Sequence, residues 1–87
     1  MDESALSKFQ ARLDEFHRWP CLFTFKFIAP REKMSDLFPI FEGKPFTTRQ
    51  SKSGRYVSLT AEWEISSSDE VIAIYRQVAR IQGVLAL

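Results

Sequence analysis

One cysteine and one histidine stand in the whole 87-residue sequence. A single cysteine rules out an internal disulfide and fits a reducing compartment. Together the two cannot supply the three or four ligands of a zinc site without recruiting carboxylates. His17 and Cys21 invite a nucleophile–base reading, yet Trp19-Pro20 lies between them and the sequence orders no third group beside them. Glycine is scarce as well, with three copies and no Gly-x-x-x-x-Gly-Lys loop to cradle a phosphate. No apolar run approaches the roughly 18 residues that would cross a bilayer. The acidic start Asp2-Glu3-Ser4 lacks the pattern of a secretory signal. A cytoplasmic chain is expected, with no cofactor, no metal and no catalytic constellation, hence not an enzyme.

Charge of either sign is also missing in excess: 12 basic residues face 11 acidic ones. That balance argues against nucleic acid, which usually calls for a basic surplus and a basic stripe. The charges are unevenly spread, however. Between Gly43 and Ala61 there is no carboxylate, while Lys44, Arg49, Lys52 and Arg55 all fall there. The partners that fit are a small anionic metabolite or a protein with an acidic patch.

What the chain has is apolar and aromatic mass. Apolar residues make up 45% and eight residues are Phe, enough for one real core and far from a disordered composition. A domain this short buries only roughly 60% of its unfolded surface. A homodimer is therefore expected.

Leu6, Phe9, Leu13 and Phe16 recur at helical spacing, and Trp19-Pro20 ends that helix. Such a stripe must cover a sheet face or meet a second subunit, so these four are candidate interface residues. Residues 21–28 alternate as a strand with Phe23, Phe25 and Phe27 on one face, and Ala29-Pro30 is expected to break it. Residues 31–38 read as a helix that Pro39 ends or kinks. Residues 46–50 form a weak edge strand. Ser51-Lys52-Ser53-Gly54 is a turn. Residues 55–65 alternate through Val57, Leu59, Ala61, Trp63 and Ile65. Ser67 and Glu70 match a capping box. Val71, Ile74, Tyr75, Val78 and Ile81 then form a helical stripe, and residues 84–87 a last short strand.

This order, an added helix followed by β-α-β-β-α-β, predicts an α+β ferredoxin-like plait. Four antiparallel strands in the order 4-1-3-2 would carry two helices on one face. The open face would be mostly polar, with Thr24, Lys26, Tyr56, Ser58, Thr60, Glu62 and Glu64. Lys26 and Glu62 are expected to pair there, at a gain of at most about 1 kcal/mol.

The strongest candidate site is the hairpin. Backbone N–H groups near its Gly turn could form an anion-binding nest. Ser51, Ser53, Gly54, Tyr56 and Ser58, with the cations Lys26, Arg49, Lys52 and Arg55, are the candidate ligand- or partner-binding residues.

The run Trp19-Pro20-Cys21-Leu22-Phe23-Thr24-Phe25-Lys26-Phe27-Ile28 and the block Ser51-Lys52-Ser53-Gly54-Arg55-Tyr56-Val57-Ser58 resemble the YbeD-like family of small bacterial proteins. The spacing of residues 70–75 and 81–84 is similar too. The resemblance covers residues 19–87, a YbeD-like domain, and leaves residues 1–18 outside it as an N-terminal amphipathic helix. It implies a plait close in shape to the ACT domains that regulate amino-acid enzymes, and no established activity. ACT domains often bind through a glycine-containing loop after their first strand, whereas Ile28-Ala29-Pro30-Arg31 has no glycine, so no ligand residue is carried over. The reading that follows is a non-catalytic regulatory or binding module. The alternative is a scaffolding module acting through the N-terminal helix.

Overall fold

Asp2 opens the first helix by accepting the Ala5 backbone N–H at 2.8 Å. That bond satisfies one of the orphan donors of helix α1, Glu3–Phe16. The computed structural model describes residues 2–87, so residue 1 of the N-terminal segment lies outside the described residues. Strand β1 (Cys21–Pro30) follows, then a 3-10 turn (Arg31–Lys33), helix α2 (Met34–Phe41) and strand β2 (Thr47–Gln50). Strand β3 (Tyr56–Ile65), helix α3 (Ser68–Val78) and strand β4 (Leu85–Ala86) complete the chain. The sheet is antiparallel in the order β2-β3-β1-β4, the expected plait order read from its other edge.

Four local expectations change. Strand β1 continues through Ala29 and Pro30, because Ala29 is buried opposite Val57 and the pairing with β3 runs to Pro30–Tyr56. Of the two outcomes expected for Pro39, ending or kinking the helix, it does not end α2 but sits inside it. Its missing N–H removes one bond from a helix of only 8 residues, and burial of Leu37 and Phe41 favours the extra turn. The capping box is not made: the Ser67 side chain makes no capping bond, and Glu70 reaches one residue past Ser67 to accept the Ser66 N–H at 3.1 Å. Ile72 is buried although it lies off the expected stripe, since α3 is covered by the sheet on one side and by α1 on another.

The core lies between the sheet and the helices. Phe25 is fully buried, with the Phe23, Phe41 and Trp63 rings 5.0–6.2 Å from its own. Trp63 donates its indole N–H to the Pro45 carbonyl at 2.7 Å, which pins the loop leading into β2.

Helix α1 packs on α3 and does not cover the open sheet face. It runs antiparallel along α3. The Glu3 carboxylate accepts two bonds from Arg76 at 2.6 and 3.0 Å, and Gln10, at the middle of α1, donates to Ser68 and Asp69. The Arg76 guanidinium holds the Glu3 carboxyl below its ordinary value, and Glu3 in turn raises Arg76. The expectation of a partner-facing stripe is corrected for Leu6 and Leu13, which are buried in the chain's own core. Phe9 is partly buried against Tyr75, with ring centroids 4.8 Å apart. Phe16 alone remains in water, at 74% exposure.

Gly83 closes the turn between α3 and β4 at φ +87°, a conformation that costs an L-residue about 1–2 kcal/mol. A Cβ there would lie 3.3 Å from the Pro30 ring, so the turn also needs the missing side chain for close approach. Gly83→Ala is expected to lower unfolding free energy in urea by about 1–2 kcal/mol. An unchanged transition midpoint would show that neither constraint operates.

Candidate functional site

The hairpin between β2 and β3 closes on itself. Ser51 and Tyr56 exchange backbone contact through a 2.9 Å bond from the Ser51 N–H to the Tyr56 carbonyl. The Ser51 hydroxyl accepts the Tyr56 N–H at 3.2 Å, and the Ser53 hydroxyl accepts the Arg55 N–H at 3.3 Å. The Gly54 N–H donates to the Ser51 carbonyl at 3.0 Å, with Gly54 at φ +74°. These bonds correct the nest reading. The N–H groups of Gly54, Arg55 and Tyr56 already have partners inside the turn, and Ser51 and Ser53 serve to hold the backbone.

The antiparallel register brings the end of β1 beside this turn. The Arg31 backbone N–H donates to the Arg55 carbonyl at 2.9 Å. Between the two segments lies an open groove of about 460 Å³, lined by Pro30, Arg31, Glu32, Ser53, Gly54, Arg55 and Tyr56. The Arg31 guanidinium lies over Gly54, 3.9 Å from where a Cβ would stand. Among the described residues the one ion pair is Glu3–Arg76, so neither groove arginine has a carboxylate within 4 Å.

The structure therefore divides the candidate residues. Ser53, Gly54, Arg55 and Tyr56 meet at the groove. Ser51 closes the turn, and Lys52 projects from its tip outside the lining. Lys26, Arg49 and Ser58 belong to the open face of the sheet. The expected Lys26–Glu62 pair is absent: the register sets Lys26 opposite Thr60, and Glu62 accepts a 3.4 Å bond from Thr24. Tyr56 lies on that face as expected, and the face is less polar than expected because Leu22 and Leu85 are exposed on it too.

The family described as "Protein of unknown function (DUF493)" matches residues 14–87. The chain belongs to the DUF493 family. The match takes in the groove, the hairpin and the whole sheet, and leaves most of α1 before it. A UPF0250 protein of Shewanella putrefaciens is 30% identical over 80 residues, covering 84% of this chain and 91% of that protein. A UPF0250 protein of Shewanella oneidensis is 29% identical over the same length. The family resemblance seen in the first strand and the hairpin block is thus correct. The solution structure of protein HP0495 from H. pylori aligns with a TM-score of 0.61 at 23% identity, covering 82% of this chain and 85% of that one. At that identity it shows a shared fold.

Two features of this DUF493 domain were not singled out as site residues from sequence. Arg31 and Glu32 join the groove because Pro30 ends β1 beside the start of β3. The signal was available: in a plait the loop after the first strand must lie next to the loop before the third. A second cavity of about 190 Å³ lies between Phe27, Tyr75, Val78, Ile81 and Val84, and burial raises the Tyr75 phenol above its ordinary value. The fold does bring Cys21 near His17, with Sγ 3.8 Å from Nδ1, but the rings around His17 are Trp19 and Phe23. Among the described residues no ion pair or hydrogen bond links the imidazole to a charged side chain. Among the described residues no helix is long and apolar enough to cross a membrane.

Proposed function

We propose that this DUF493 chain is a small non-catalytic binding module whose ligand is an anion held in the groove between the end of β1 and the β2–β3 turn. One observation carries the reading: the fold aims Arg31 and Arg55, from separate segments, at one groove and gives neither a carboxylate partner. Arginine favours planar bidentate recognition of carboxylate or phosphate. The ligand would bridge two segments otherwise joined there by the Arg31–Arg55 backbone bond. Binding would then favour one arrangement of the hairpin on β1, a population shift suited to regulation. Scaffolding through the N-terminal helix has less support, because Leu6 and Leu13 are occupied within the chain.

The experiment is thermal unfolding with pyrophosphate or citrate against chloride at equal ionic strength. A ligand that binds only the folded chain raises the melting point, by about 2.7 kcal/mol of stability at 100 times its Kd. The wild-type chain is expected to show that rise, and the Arg31→Glu/Arg55→Glu variant to lose it while melting normally in chloride. Equal responses from the two proteins would exclude the groove.

A further inference from the structure

The open face of the sheet has no cover from its own chain, since α1 packs on α3. Among the described residues, three of the six exposed large apolar side chains, Leu22, Tyr56 and Leu85, lie on it by register. Its charges are ordered along the strands. Arg49 shares a cross-strand row with Ser58 and Ile28, and Lys26 shares the next with Thr60. Glu62 and Thr24 form the following row, and Glu64 and Leu22 the one after. Two basic rows therefore adjoin two acidic rows, with no ion pair between them.

Such a face is complementary to itself. A two-fold axis in the plane of the interface, perpendicular to the strands and passing between the Lys26 and Glu62 rows, reverses the strand direction. It lays the Lys26 row over the Glu62 row of a second copy, and the Arg49 row over the Glu64 row. The same rotation sets Ile28 over Leu22 of the second copy. An axis parallel to the strands would instead stack each basic row on itself, and like charges set against each other cost association. We infer that the open sheet face is the docking surface for a second copy of this chain, packed sheet to sheet with strands reversed. Packed sheets stand about 10 Å apart, a distance that Lys, Arg and Glu side chains span together. The two-fold makes every contact occur twice. The face is small, with β4 adding only two residues, so the dimer forms in a concentration-dependent equilibrium.

The test is sedimentation equilibrium on the full chain across a concentration series. The wild type is expected to approach twice the chain mass. Lys26→Glu and Glu62→Lys, both at exposed positions, are each expected to weaken association about 100-fold, tenfold at each of two symmetry-related contacts. An equimolar mixture of the two variants restores both contacts and should return to the dimer mass, as should the double variant Lys26→Glu/Glu62→Lys. A wild type that stays monomeric up to about 1 mM overturns the proposal. So does a dimer that either single reversal leaves intact, or that neither the mixture nor the double variant rescues.

Discussion

Phe25→Ala is expected to lower the unfolding free energy by about 3–5 kcal/mol, the usual cost of emptying a fully buried phenylalanine site. For a domain of this size that is a fall of more than about 12 °C in melting temperature. The reason is positional. Phe25 is 0% exposed at the middle of the longest strand pairing, opposite Ala61, and the Phe23, Phe41, Trp63 and Tyr75 rings all lie around it. Three of those contacts come from other elements, so no single neighbour can move in to fill the space. Phe16→Ala removes the same ring from a site that is mostly in water and is expected to change stability by less than about 0.5 kcal/mol. Urea unfolding of both variants checks the pair. Equal effects would mean that the layer between sheet and helices is not the centre of the core.

The plait was legible because its strongest signals are periodic and redundant. Strand β3 alternates over ten residues, β1 carries three phenylalanines on one side, and both find each other in register over their whole length. The errors fall where a local rule competed with burial. Pro30 and Pro39 are breakers in isolation, but Ala29, Leu37 and Phe41 bury enough surface to carry the strand and the helix past them. The hairpin cations were legible as a charge run. Their division between groove and sheet face was not, because the run alone does not say which side of β2 or which end of β1 each residue adjoins. Arg49 looks outward from a sheet face only once it is paired with Ser58, and Arg55 becomes half of a groove only when Arg31 is set beside it. The helical stripe of α1 was read correctly as a stripe and assigned to the wrong neighbour. Amphipathicity reports that a face will be buried, not against what.

That last distinction has its own test. Leu6 is 2% exposed and belongs to the same hydrophobic cluster as the sheet's inner face. Leu6→Ala is therefore expected to cost about 2–5 kcal/mol of folding stability, as a cavity in a single-chain core does. The loss should be the same at every protein concentration. Had the stripe met a second subunit, the result would differ in kind: the variant would melt normally when dilute and would lose stability only where the wild type associates. Urea unfolding at two widely separated concentrations separates the outcomes. The structure commits to the first, because Glu3–Arg76 at the start of α1 and Gln10–Asp69 at its middle already fix the helix along α3. With its first half tethered in this way, α1 buries Leu6 and Leu13 in a site their own chain has built. A variant whose stability loss grows with concentration would place α1 at an interface and remove the reason for leaving the sheet face open.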